Sequence, residues 1–115
     1  MEIALGMSEA EANGTGWRGT NQGGQMKGGA WYPFSGEFMP SSNVAFGCSN
    51  SSGFNGRPGG YRDPGGTFDF AWNYGAWWSS SFSWFRALVY ELSGVARNEL
   101  APNYGFSVRC ILDAE

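Results

Sequence analysis

The sequence contains no histidine, the side chain most often used as a general base, a metal ligand or a pH switch near neutrality. Charged residues make up only 15% and the net charge is −3, so we expect no phosphate-binding surface and no nucleic-acid partner. No apolar run is long enough to span a membrane, and no signal peptide is visible. The carboxylates Asp63, Asp69, Glu91 and Glu99 are scattered and form no acid–base pair or metal-ligand set. These absences predict no catalytic residues, no metal and no other cofactor.

Cysteine is also scarce, with two residues, Cys48 and Cys110. One disulfide between them would close a large loop and stabilise the fold by roughly 4 kcal/mol. Two buried thiols are an equally good interpretation. Both alternatives stay open from the sequence.

The residues that are abundant indicate a folded, loop-rich domain. Hydrophobic residues make up 42%, aromatic residues 17%, and there are nineteen glycines in 115 residues. Aromatic residues are rare in disordered chains, and glycine allows the positive φ angles that tight turns require. We therefore expect one α+β domain over residues 1–115, with long ordered loops between its elements.

Local patterns predict a helix followed much later by a β-meander. Glu2 to Ala12 is rich in helix formers and stops at Asn13-Gly14. Apolar and polar residues alternate from Phe82 to Tyr90, which is typical of a strand. Turn-like segments at 91–94 and 100–105 separate this strand from two more, at 95–99 and 106–112. The pattern predicts a three-stranded antiparallel C-terminal meander.

The hairpin turns set a register in which Arg86 lies beside Glu99 and Val95 beside Cys110. One face of the meander then has the character of a core that contains a paired charge. Arginine tolerates such sites through carboxylate, carbonyl or aromatic partners, so Arg86 and Arg97 are predicted to be partly buried and structural. The residues assigned structural roles are Trp77, Trp78, Trp84, Arg86, Arg97, Glu99, Phe106 and Cys110.

The other face mixes large and small side chains, which favours a surface that displays variable residues to a ligand. Asn98, Ser107 and Arg109 would be costly to bury without partners. Tyr104 lies nearby and could stack on a sugar ring or fill a partner's pocket. The alternatives are a face covered by the N-terminal helix or by the Trp31–Met39 loops, and a structural or adhesive module without a pocket. The predicted ligand-binding residues are Phe85, Ala87, Val89, Glu91, Leu92, Ala96 and Asn98.

Several blocks of sequence carry a family resemblance. They include Pro58-Gly59-Gly60-Tyr61-Arg62, Tyr74-Gly75-x-Trp77-Trp78-Ser79-Ser80, Trp84-x-Arg86-x-Leu88-x-Tyr90 and Tyr104-Gly105-Phe106-Ser107-Val108-Arg109-Cys110. In this order and spacing they resemble the Fibrobacter succinogenes major paralogous domain. The resemblance implies a variant of the C-type lectin-like fold, related to the variable proteins of diversity-generating retroelements. It also implies secreted, cell-surface or phage receptor-binding proteins and a protein or glycan ligand.

Family members usually have an early strand that pairs with the C-terminal strand, and this sequence lacks it. We therefore expect either a partial copy or fragment, or a fold that closes without that strand. In the second case an exposed edge along Phe106–Leu112 would favour self-association.

Overall fold

The computed structural model describes residues 2–28, 31, 49–90 and 92–110. Within them, helix and antiparallel sheet are combined, so the predicted α+β class is confirmed, although both helices are short. No helix in this part of the chain has the length and apolar character needed to span a membrane. The elements are α1 (Glu9–Ala12), β1 (Gly16–Arg18), α2 (Gln22–Met26), β2 (Tyr61–Arg62), β3 (Phe68–Asp69), β4 (Tyr74–Trp78), β5 (Trp84–Val89) and β6 (Leu92–Glu99).

Four strands form one antiparallel sheet in the order β1-β6-β5-β4, and β2 and β3 form a separate ribbon. Arg86 of β5 lies opposite Arg97 of β6 and opposite Trp77 of β4. Gly16 of β1 also lies opposite Arg97, from the other side of β6. The central meander is therefore β4-β5-β6, and an N-terminal strand completes the sheet.

The predicted register between the two central strands is wrong by two residues. Trp84, and not Arg86, lies opposite Glu99, and the pairing is irregular between Ala87 and Val89. Glu99 instead accepts a hydrogen bond from the Ser83 hydroxyl at 3.0 Å. A shift of two residues keeps each side chain on its original face, so the predicted separation of Trp84 from Phe85 is confirmed.

The predicted third strand is also wrong in its position. Ser107 does not pair with β6 but forms a single parallel bridge to Trp77 of β4, and β1 occupies the place beside β6. Val108 is 71% exposed, and Cys110 is exposed with a free thiol, so neither belongs to the core face. Cys48 and residues 111–112 lie outside the described residues.

The helix predicted over residues 2–12 is shorter than expected. Residues 2–7 form hydrogen-bonded turns, in which Leu5 and Met7 both donate their N–H groups to the Glu2 carbonyl. Ser8 then caps α1 by accepting from the Glu11 N–H at 3.1 Å. The helix ends at Asn13, as the Asn13-Gly14 signal predicts.

The first sheet face carries the main hydrophobic core. The sheet contributes Trp77 from β4, Leu88 from β5, Val95 from β6 and Tyr90 from the turn between β5 and β6. They pack against two residues from the N-terminal part of the chain, Met26 and Trp31. This face corresponds to the core face predicted from the alternation.

A charged cluster at the edge of this face ties the N-terminal segment to the sheet. The Glu2 carboxylate accepts from Arg86 Nε at 2.8 Å and from an Arg18 guanidinium nitrogen at 3.2 Å. Burial on its own would raise the Glu2 pKa. The hydrogen bond from Arg86, a backbone hydrogen bond, the charge of Arg86 and the hydrogen bond from Arg18 outweigh burial and lower the pKa from 4.5 to about 2. Glu2 is therefore the carboxylate partner that Arg86 requires, in place of Glu99.

Arg97 has a different set of partners on the same face. Its guanidinium donates to the Asn13 and Gly14 carbonyls and lies 4.2 Å from the ring centroid of Trp84. Carbonyl oxygens and an aromatic face together satisfy a partly buried guanidinium. Arg97 thus fixes the end of α1 against the sheet.

Candidate functional site: an aromatic pocket on the second sheet face

A row of small side chains crosses the second face of the sheet. Ala76 lies opposite Ala87, Ala87 opposite Ala96, and Ala96 opposite Trp17. Residues directly opposite in antiparallel strands share a face. Methyl groups rise little above the backbone, so this row leaves space above the sheet that larger side chains from the loops can enter.

Aromatic side chains from β2 and from the loops around it occupy part of that space. Tyr61 is central: its ring centroid lies 5.5 Å from Tyr74, 5.7 Å from Phe70, 6.1 Å from Tyr104 and 6.2 Å from Phe106. These separations and the mostly tilted or edge-on arrangements are those that aromatic quadrupoles favour. The rings therefore form one contiguous cluster.

Backbone hydrogen bonds hold this cluster over the sheet. The Ser107 N–H donates to the Ala76 carbonyl at 3.0 Å, which brings the preceding Phe106 onto the second face. Arg62 and Gly105 exchange two N–H···O bonds of 2.9 and 2.8 Å, which holds β2 against the C-terminal segment. The Phe106 ring then lies 4.8 Å from the Phe85 ring, measured between centroids.

Beside the cluster lies an open pocket of about 700 Å³. Its walls come from both ends of the chain, from the sheet and from the loops, and none of the lining residues that the structure describes is Lys, Arg, Asp or Glu. A volume of this size is within the range of small-molecule sites. We call this space the aromatic pocket; its lining residues are Trp17, Tyr61, Phe70, Tyr74, Val89, Leu92, Leu100, Tyr104 and Phe106.

The polar side-chain groups of the described lining residues are the tyrosine hydroxyls and the Trp17 indole N–H. Burial, with a contribution from the adjacent Tyr61, raises the pKa of Tyr74 to about 12. The Tyr61 pKa is raised first by burial and then by Asp69, Tyr104 and Asp63. Both phenols are therefore neutral at pH 7 and poor proton donors to a reacting group. The lining is suited to binding.

One wall of the aromatic pocket is held in an unusual backbone conformation. Phe70 has φ 60° and Trp72 has φ 80°, values that bulky L-residues rarely adopt. The loop is fixed by N–H groups of Tyr74 and Trp72, which donate to the Phe70 carbonyl at 3.0 Å and to the Pro58 carbonyl at 2.7 Å. Strain of this kind often accompanies binding sites.

The predicted ligand-binding residues do not lie together on one exposed surface. Phe85, Ala87, Val89 and Ala96 are no more than 6% exposed, so the prediction that they face outward is wrong. Among the described residues, the Tyr61 and Phe106 segments cover this face, and the N-terminal helix does not. The Trp31–Met39 loops lie outside the described residues except for Trp31.

Two of the predicted ligand-binding residues, Val89 and Leu92, line the aromatic pocket. Asn98 accepts from the Gly16 N–H at 3.2 Å and so helps to hold β1. Glu91 lies outside the described residues. Tyr104, which the sequence suggested as a stacking residue, belongs to the lining.

Sequence reasoning missed six lining residues, of which Phe106 was predicted to lie on the core face: Trp17, Tyr61, Phe70, Tyr74, Leu100 and Phe106. A usable signal was present in the glycine-flanked aromatic residues of the loops, such as Gly60-Tyr61 and Tyr104-Gly105-Phe106. Glycine lets backbones approach closely, so aromatic residues beside it can be packed as an ordered wall. The described residues contain no group of three or more potential metal ligands.

The fold and pocket define a small α+β domain with a largely apolar surface pocket. The Fibrobacter succinogenes major domain matches residues 1–112, and the chain belongs to this family. No curated protein and no solved structure shows a significant match to the chain.

Proposed function

We propose that this domain is a non-catalytic ligand-recognition module that holds an apolar or aromatic group of its ligand in the aromatic pocket. The observation that carries the proposal is a pocket of about 700 Å³ whose described lining residues are uncharged and largely aromatic. Desolvated aromatic side chains dominate the energetics of many binding interfaces. No metal or cofactor is part of the proposal.

Rigidity supports binding as the role of the aromatic pocket. Its walls combine sheet residues such as Val89 with loop residues such as Tyr61, and the loops are fixed by backbone hydrogen bonds to β4. A preformed site loses little conformational entropy when a ligand enters. The strained Phe70 backbone is consistent with a wall that is held in place for this purpose.

The family resemblance extends the proposal to architecture and location. We propose a C-type lectin-like domain at a bacterial cell surface or on a phage particle, with a protein or glycan as its ligand. The relationship to retroelement-diversified proteins belongs to the same proposal. It is supported by the shared sequence blocks around Trp84-x-Arg86 and Tyr104-Gly105-Phe106.

An array of glycans and surface proteins tests this proposal with matched aromatic variants. Tyr104→Ala removes a half-buried ring of the lining, whereas Phe82→Ala removes a ring that is 80% exposed and outside the aromatic pocket. We expect Tyr104→Ala to weaken binding roughly tenfold or more and Phe82→Ala to leave it unchanged.

The reverse pattern of losses would favour an adhesive module that binds through its outer surface. Binding that withstands both changes would place the site elsewhere on the domain. Conversion of a bound ligand into a product would contradict the absence of a chemical step.

A further inference from the structure

None of the described lining residues of the aromatic pocket is charged, but two carboxylates lie close to one of them, Tyr61. Asp69 pairs with Tyr61 across the β2–β3 ribbon, and Asp63 follows two residues after Tyr61. Both carboxylates raise the pKa of the Tyr61 hydroxyl, after burial, which is the larger cause. Their negative potential therefore reaches the lining.

No cation in the described part of the chain neutralises these two carboxylates by an ion pair. Arg62 is the adjacent basic residue, but successive strand residues point to opposite faces. Its guanidinium lies 6.0 Å from the ring centroid of Phe68, which is not a lining residue. The neighbourhood of Tyr61 therefore favours positive charge.

The rings of the lining favour positive charge for a second reason. The faces of Tyr, Trp and Phe carry negative partial charge, and cations bind over them within about 6 Å. Trp17, Tyr61, Phe70, Tyr74 and Tyr104 all contribute rings. Aromatic rings with carboxylates close to them are complementary to an organic cation.

We propose that the aromatic pocket binds an alkylated ammonium group, such as trimethylammonium, carried by its ligand. This inference rests on the proposed function and specifies the chemistry of the bound group. A primary ammonium or a guanidinium would lose hydrogen bonds to water that this apolar lining replaces poorly. A quaternary nitrogen has no N–H group, and its methyl groups gain from burial against Val89 and Leu92.

A pair of isosteric probes tests the charge. Choline and the neutral alcohol 3,3-dimethylbutan-1-ol differ in replacing N⁺ by carbon, so they bury almost the same apolar surface. We expect choline to bind about tenfold more tightly, which corresponds to about 1.4 kcal/mol. Binding is measured on the full chain by calorimetry and by two-dimensional NMR, with shifts of the Trp17 indole N–H signal as the local readout.

Charge variants separate the carboxylates from the rings. Asp69→Asn should weaken choline severalfold and leave the neutral alcohol unchanged, whereas Tyr104→Leu should weaken both probes. Asp63→Asn is the second charge variant. It removes the charge and keeps the local hydrogen bond, because an asparagine oxygen can still accept from the Thr67 N–H that Asp63 binds at 3.0 Å. Glu9→Gln, on α1 and exposed, makes the same charge change as a control.

The outcomes distinguish this inference from the proposed function. Equal affinity for the two probes would overturn the cation preference and leave the apolar pocket as a binding site. Failure of both probes to bind would overturn both proposals. Vesicles of phosphatidylcholine added in place of choline distinguish a lipid headgroup from a soluble ligand as the source of the cation.

Discussion

Glu2 connects the N-terminal segment to two strands of the sheet, and its replacement by glutamine should destabilise the domain strongly. Its side chain is 11% exposed and contacts Arg18 of β1 and Arg86 of β5. At about 1.4 kcal/mol per pKa unit, the fall from 4.5 to about 2 corresponds to about 3 kcal/mol. Glu2→Gln should lose about this amount, because two partly desolvated guanidinium groups then lack their carboxylate.

The pH dependence of the loss identifies the carboxylate as its cause. The Glu2 pKa is lower in the folded state than in the unfolded chain, so its stabilisation is complete above pH 4.5 and is lost as the pH falls towards 2. Urea unfolding followed by tryptophan fluorescence should give a gap of about 3 kcal/mol between wild type and Glu2→Gln at pH 7. This difference in the free energy of unfolding should narrow steadily below pH 4.5. The other titrating groups are the same in both proteins, so their contributions cancel.

Two further variants complete this experiment. Glu9→Gln removes an exposed carboxylate from α1 and should change stability by less than about 0.5 kcal/mol. Arg86→Ala should cost a few kcal/mol, and the double variant with Glu2→Gln should lose less than the two single losses combined, since the residues share one interaction. Equal stability of wild type and Glu2→Gln at pH 7, or a gap independent of pH, would refute the reasoning.

Two more predictions concern packing. Gly23→Ala should destabilise the domain by more than about 2 kcal/mol, because the new Cβ would collide with the Gly94 carbonyl oxygen. Gly59→Ala is the control: its Cβ would lie 3.5 Å from the nearest atom, the Ser107 hydroxyl oxygen, and the urea midpoint should change little. Phe106→Ala should cost about 2–4 kcal/mol through loss of its ring contacts, whereas Val108→Ala should be near neutral. A large loss from Val108→Ala would contradict this placement, because it would put Val108 in the core face of the predicted meander.

The two faces of the central strands could be predicted from the sequence, but their register could not. Alternation from Trp84 to Val89 fixes which side chains share a face, because strand side chains have a period of two. The Ser93-Gly94 pair suggested a turn, yet both residues lie inside β6. Gly94 is needed because a Cβ there would lie 2.7 Å from the Arg18 carbonyl oxygen of the neighbouring β1, and the sequence alone does not separate close packing from a turn.

The position of the aromatic pocket could not be predicted for a related reason. Ala87 and Ala96 suggested an open surface, whereas their small size makes room for rings from distant loops. Contacts such as Phe85 with Phe106 join segments that no local pattern connects. Likewise, Gly16–Arg18 has no strand signature of its own and forms β1 because the edge of β6 offers unpaired backbone groups.

The pairing of β1 with β6 affects the order in which the domain folds. The Gly16 N–H binds the Asn98 side chain across 82 residues of sequence, whereas β4, β5 and β6 are close neighbours along the chain. Closing a long loop costs more entropy than closing a short one, and distant contacts slow folding. We therefore expect the β4–β6 hairpins to form early and the N-terminal segment to dock last. During synthesis β1 is made before β6, the strand that it pairs with. In nascent chains stopped before residue 92, the Gly16–Arg18 amides should therefore exchange their hydrogens readily with solvent.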